Sequence, residues 1–247
     1  MSKSQIIAKS IGISIAVLLL VGAVVAGVRM TPSDTPCRSL SYTICDADER
    51  LYLTENELDN MLMTQGLYPV GKHLRRGDLN RIERTITHHP MVRHAECYLT
   101  PWHEMRVRLT QRVPVLRVQT PAERYIIDSD RRVMPTRPAV KDEVLRVTGN
   151  VGVRQAAGEL ADFAIWLNDH PYWQERIAQL YVESPFAIYL CLQHEPITER
   201  VLLGRMSGFE HKLAKLRTFL EDGKEETAGK YYRELDIRFR GQVIGRK

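Results

Sequence analysis

The chain has 247 residues, room for a membrane anchor plus one or two compact domains. Its 44% hydrophobic content excludes wholesale disorder, and 26% charged residues is ordinary for a folded surface. The net charge of +5 suits an anionic membrane or a nucleic acid, but the densest basic spots, Arg75-Arg76 and Arg131-Arg132, are only pairs, so a solvated basic face is the simpler reading.

From Ile11 to Val28 every residue is apolar, Gly or Ala except Ser14. At about 1.5 Å per residue, with slight extension at either end, a helix there reaches roughly the 30 Å of a hydrocarbon core. Lys3 and Lys9 precede the run; Arg29 follows, then a mixed stretch with Asp34. The basic excess ahead of the run predicts a cytoplasmic tail at 1–10, a transmembrane helix at 11–28, a linker at 29–38 and everything beyond outside the cytoplasm. Val24-Val25-Ala26 also satisfies a signal-peptide cleavage rule, but the run exceeds the usual signal core, which favours retention. Four cysteines fit an oxidising compartment without demanding one. Cys37 and Cys45 flank a short segment and invite a bridge, whereas Cys97 and Cys191 fall in strand-like patterns and read as buried small hydrophobes.

Leu40 to Ile44 reads as a strand. Thr54 with Glu57 makes a capping box, and Leu58, Met61 and Leu62 supply one apolar face of a helix that Gly66 ends. Asp78 caps a second helix carrying Leu79, Ile82 and Ile86, which Pro90 stops. The period then becomes two: Ala95, Cys97 and Leu99, a turn at Pro101-Trp102-His103, then Met105, Val107 and Leu109, which describes a hairpin. Strand, helix, helix, strand, strand is a small α+β domain, placed at 39–118. A β-rich domain at 119–247 follows, with short strands at Tyr125–Asp128, Val133-Met134 and Val144–Thr148 and a helix through Leu160 and Leu167. Further strands fall at Ile177–Glu183, Phe186–Leu192 and Arg200–Gly204. A helical stripe, Phe209, Leu213, Leu216 and Leu220, precedes a last strand with Leu235, Ile237 and Phe239 on one face, then Gln242-Val243-Ile244.

Catalytic patterns are weak. Gly66 to His73 is one residue from a phosphate-binding loop, but His73 stands where Ser or Thr must hold magnesium, and a helix rather than a strand precedes it. His88, His89, His94, Cys97 and His103 crowd one stretch, yet His94 and Cys97 would lie on opposite faces of one strand, which argues against zinc. G-x-S-x-G, S-x-x-K and H-E-x-x-H do not occur, and no acid–base pair stands out, so the expectation is no enzyme, cofactor or metal. The last strand offers an edge for an incoming strand, although Arg238 and Arg240 allow the alternative of an edge blunted by charge.

Ile82-Glu83, His89-Pro90-Met91-Val92, Ala95-Glu96, Met105-Arg106-Val107 and Arg112-Val113-Pro114 resemble, in order and spacing, the POTRA domain of the FtsQ/DivIB family of bacterial cell-division proteins. Tyr125-Ile126-Ile127-Asp128, Leu203-Gly204, Lys212 to Leu216 and Leu235-Asp236-Ile237-Arg238-Phe239 resemble that family's second, β-rich domain. Gln111 departs from the Glu usual before the Arg. Asp130-Arg131-Arg132 replaces a turn glycine, and the tail after Phe239 is short.

The resemblance implies a non-enzymatic divisome scaffold in the inner membrane at the septum, with its C-terminal domain periplasmic. It implies partners of the FtsB/FtsL coiled-coil type, indirect control of the septal peptidoglycan synthase, and no nucleic-acid or small-molecule substrate. It places strand addition at about Phe239 to Gly245, on Arg238, Phe239, Gln242, Val243 and Ile244, with the POTRA domain as a second docking surface. The rival readings are another POTRA-type assembly or secretion factor, which needs a barrel or repeated units, and an anchored periplasmic hydrolase, which needs a catalytic constellation.

Overall fold

The structure, a computed structural model, describes residues 35–48, 51–138, 140, 144–193, 197–222 and 231–247. No described helix is long and apolar enough to cross a membrane, and the run Ile11–Val28 lies outside the described residues. The chain folds as two compact units. One holds the described residues up to Thr43 with Asp59–Thr85 and Glu96–Arg108; the other holds Ile44–Leu58, Ile86–Ala95 and Leu109–Lys247.

The first strand, β1, is Ser39–Ile44, followed by α1 (Glu55–Thr64), α2 (Arg76–Thr87), β2 (Val92–Leu99) and β3 (Glu104–Gln111). These three strands form one sheet of order β1-β3-β2. This is the strand-helix-helix-strand-strand order the periodicity predicts. Leu58 and Leu62, one helical turn apart, are both fully buried, as are Ile86 and, almost, Ile82; β3 buries Met105, Val107 and Leu109 on one face, the period of two expected of a half-covered strand.

The caps differ from expectation in an instructive way. Thr54 Oγ1 does accept the Glu57 N–H at 3.4 Å, but the Glu57 carboxylate is taken by Arg137 and His89. Asp78 lies inside the first turn of α2, and its carboxylate reaches back to the Arg75 N–H at 2.9 Å. Cys37 and Cys45 are both free. The six extended residues of β1 between them span about 20 Å, far beyond the ~7 Å limit between Cα atoms of a disulfide. Cys97 is half-buried rather than core, and burial, reinforced by the Glu83 charge, pushes its thiol up to about 12.

The second unit is dominated by a nine-stranded sheet. Its strands are β4 (Pro114–Gln119), β5 (Arg124–Asp128), β6 (Val133–Pro135), β7 (Leu145–Gly149), β8 (Ile177–Ser184), β9 (Ala187–Leu192), β10 (Arg200–Gly204), β11 (Glu234–Asp236) and β12 (Ile244–Arg246). They lie in the order β12-β11-β10-β9-β8-β7-β4-β5-β6. Pairing is antiparallel except β4 with β7, β7 with β8, and β10 with β11. β4 therefore belongs to the large sheet, whereas the sequence pattern sets the domain boundary after Val118.

Each parallel pair needs a crossover, and helices supply two of them: α3 (Ala161–Asn168) and α4 (Pro171–Gln174) between β7 and β8, and α5 (Phe209–Asp222) between β10 and β11. Leu160, Phe163, Ala164 and Leu167 from the first, and Leu213, Leu216 and Leu220 from α5, join Val118, Val147, Leu180, Leu190, Val201 and Leu235 of the sheet in one core.

At the start of the sheet Arg112 Nη1 meets Asp128 Oδ2 at 2.7 Å, both side chains buried, and the same carboxylate accepts the Arg132 N–H at 2.6 Å. That bond closes the β5–β6 turn around Arg131, whose φ of 63° is the left-handed conformation a glycine would adopt freely.

Candidate functional site

The chain returns on itself at its end. β11 lies parallel on β10, the chain turns through Arg238 to Val243, and β12 pairs antiparallel with β11 in the register Asp236↔Ile244, Leu235↔Gly245, Glu234↔Arg246. Gly241, with φ of 73°, supplies the left-handed residue of the turn. The predicted strand is thus two short ones. Leu235 and Ile237 are buried in the core as expected, but Phe239 is 48% exposed in the turn instead of continuing their face.

One hydrogen bond fixes which way the backbone of this hairpin points. Ile237 N–H donates to Leu202 O of β10 at 3.1 Å. Backbone groups alternate sides along a strand, so Leu235 also faces β10, and Glu234 and Asp236 face β12. Their partners Arg246 and Ile244 are therefore the residues of β12 bonded inward, leaving the N–H and C=O of Gly245 directed away from β11, with Val243 next on that side where the chain enters the strand. Among the described residues β12 is the terminal strand on this side, and all three of its residues are exposed. It is an unpaired edge with the backbone groups of Gly245 turned outward.

The side chains beside this edge are held by charge. Asp236 is fully buried, and its carboxylate receives Arg238 N–H at 3.1 Å, Nε at 3.0 Å and Nη2 at 2.7 Å, with Arg246 Nη2 at 3.4 Å. Burial alone pushes that carboxyl up; the Arg238 hydrogen bonds and the Arg238 and Arg246 charges outweigh it and hold the group below its ordinary value. Arg246 also meets Glu234 at 3.2 Å, Arg200 approaches Glu234 at 3.7 Å, and the Arg200 guanidinium lies 3.8 Å over the Tyr189 ring. From α5, Lys215 Nζ donates to the carbonyls of Ile237, at 2.9 Å, and Phe239, which pins the turn.

Of the five residues the sequence singles out, Arg238 is an anchor as well as a surface group, since its stem passes over Gly204 and its head is locked to Asp236. Phe239 and Gln242 are exposed in the turn, Val243 is half-buried against the core, and Ile244 is 39% exposed at the first position of β12. Sequence reasoning passes over Asp236, Glu234 and Arg246. The Asp-x-Arg spacing at 236 and 238 is the available signal, because residues two apart in a strand share a face.

Two shallow hollows overlap near the ends of β4 and β7, lined by Thr120, Pro121, Glu123, Gly149 and Tyr181 among others. The Thr120 hydroxyl there is tied to the backbone of Glu123. Among the described residues no three His, Cys, Asp or Glu side chains group as ligands for a metal ion.

Comparison with known families matches residues 113–246 to "FtsQ/DivIB, C-terminal related" and residues 35–110 to "POTRA-like domain". No curated protein matches the chain. The match at 113–246 spans more than half of the chain and contains the whole nine-stranded sheet with its C-terminal hairpin, and on that ground the chain belongs to the FtsQ/DivIB family of cell-division proteins.

Proposed function

We propose that the chain is a non-enzymatic scaffold of the divisome that captures a strand of a partner along β12. The observation that carries this reading is the outward direction of the Gly245 backbone groups on an exposed terminal strand, which Val243 leads into. An extended segment laid there gains main-chain hydrogen bonds at no cost to the existing ladder, and its alternate side chains meet Ile244 and Arg246 on one face and Tyr232 and Val243 on the other. The partner is a membrane-anchored coiled-coil division protein of the FtsB/FtsL type, and through it the chain acts on the septal peptidoglycan synthase. The uncharged run Ile11–Val28 supports a single-pass anchor in the inner membrane at the septum, with the N-terminus cytoplasmic and the folded units periplasmic.

The test is affinity capture of the tagged full chain from solubilised membranes, with Val243→Pro and Val243→Ala side by side. Proline deletes an outward donor, whereas alanine keeps the donor and loses only the side chain. Capture of small coiled-coil membrane proteins by native and Val243→Ala chains, lost with Val243→Pro while the fold survives, is the expected result. Capture unaffected by proline removes β12 as the site.

A further inference from the structure

Three segments converge where the first unit begins. Cys37 exchanges two backbone bonds with the α1–α2 loop, its N–H to Lys72 O at 2.9 Å and the Gly71 N–H to its own carbonyl at 2.8 Å. Arg38 N–H donates to His103 O at 2.8 Å, in the turn between β2 and β3. That turn is tight: Thr100 N–H donates to Glu104 O, Thr100 Oγ1 accepts the Glu104 N–H at 3.1 Å, His103 N–H donates to Thr100 O, and His103 adopts φ of 61°. It holds Trp102 out with 68% of its surface exposed, and Val70, in the α1–α2 loop on the other side of residues 37 and 38, is 37% exposed.

An indole left mostly exposed is stabilised when an apolar surface covers it. The charge around it is mainly basic: Pro36–Arg38, Tyr68–His73 and Pro101–His103 include Arg38, Lys72 and His73, and the nearest acid, Glu104, is paired with Arg106 at 3.5 Å. A rigid Trp with flanking cations is the composition that settles at a bilayer interface, where the ring takes the glycerol and upper acyl zone and the cations take the lipid phosphates.

The position of the patch decides the occupant. The apolar run ends at Val28, and residues 29–36 separate it from Cys37. Eight residues at full stretch span at most about 28 Å, so the loop tips bonded to Cys37 and Arg38 lie within that reach of the membrane surface.

We infer that this tip, with Trp102 exposed in its β2–β3 turn and Arg38, Val70 and Lys72 in the segments tied to it through residues 37 and 38, rests on an anionic phospholipid surface and fixes the standing of the first unit on the membrane. The inference rests on the reading of Ile11–Val28 as a retained anchor.

The experiment uses the full chain in lipid nanodiscs containing phosphatidylglycerol and a lipid carrying a nitroxide near its headgroup. The emission of Trp102 is the difference between the native chain and Trp102→Phe, which leaves Trp166 and Trp173 in both. Loss of most of that difference emission in nitroxide discs, relative to unlabelled discs, is the expected result. Co-elution of the chain with the discs is read separately. A chain that co-elutes while its Trp102 emission persists overturns the inference and leaves the anchor standing. A chain that does not enter discs overturns the anchor, and the inference falls with it.

Discussion

The ring of Tyr232 occupies the place where a Cβ on Gly245 would stand, within 2.3 Å of its Cδ1 atom. β12 lies flat against this side of the sheet because residue 245 has no side chain. Gly245→Ala should therefore lift β12 off β11. Since β12 is three exposed residues long, the loss of global stability should be about 1 kcal/mol or less. Partner capture and resistance of the C-terminus to carboxypeptidase should fall sharply. Tyr232→Ala in the same chain should restore both, which separates a steric effect from a change in strand propensity.

Asp236 gives the hairpin a dependence on acid. Its carboxyl is held below the ordinary value by Arg238 and Arg246 despite complete burial. A depressed acid contributes stability above its unfolded value of about 4 and loses it as pH falls through the folded value. Asp236→Asn should cost about 1–2 kcal/mol at pH 7, the lower part of the range for a charged hydrogen-bonded pair because both arginines face solvent. It should also flatten the acid limb of a denaturant-midpoint curve below about pH 4.

His89 should act in a higher window. Its Nδ1 lies 3.3 Å from the Met91 N–H and accepts from it, so Nε2 carries the proton that meets Glu57 Oε1 at 3.3 Å. Burial lowers the imidazole below its ordinary value; the Glu57 charge opposes this and the Arg137 charge adds to it. Protonation would set an N–H at Nδ1 against that of Met91. Stability is thus present above about pH 6.5 and declines as pH falls through the lowered value. His89→Gln should remove the slope that begins below about pH 6.5 while sparing the more acidic limb, where Glu57, held low first by the Arg137 hydrogen bonds, still titrates.

The element order is legible in the sequence because local period carries it. The alternation in β3 and the stripe Leu213, Leu216, Leu220 translate directly into buried faces. Strand neighbours are not legible: nothing local marks β4 as lying between β5 and β7, or β11 as parallel to β10, since those choices are set by how α3 to α5 cross the sheet. The last strand is overread for a similar reason. Leu235, Ile237 and Phe239 alternate, but Arg238 folds back on Asp236 and Lys215 takes the carbonyls of Ile237 and Phe239, which turns the chain out of the ladder. Gln111, a departure from the family's Glu, has a local reason. Its side-chain oxygen accepts the Tyr52 N–H at 2.8 Å while its own N–H donates to the Asp46 carboxylate at 3.1 Å, a place where a second carboxylate would repel the first.

The large sheet ends at the other side in β6, only three residues long and closing with Pro135. Proline has no N–H to offer and tolerates a strand only where its nitrogen faces away from a neighbour. The two flanks of the sheet are accordingly unequal: one turns backbone groups outward, and the other closes on a residue with no N–H to offer. Head-to-tail stacking of copies, β12 of one molecule onto β6 of the next, is disfavoured, so an open strand at one flank does not seed a fibre of the chain's own kind.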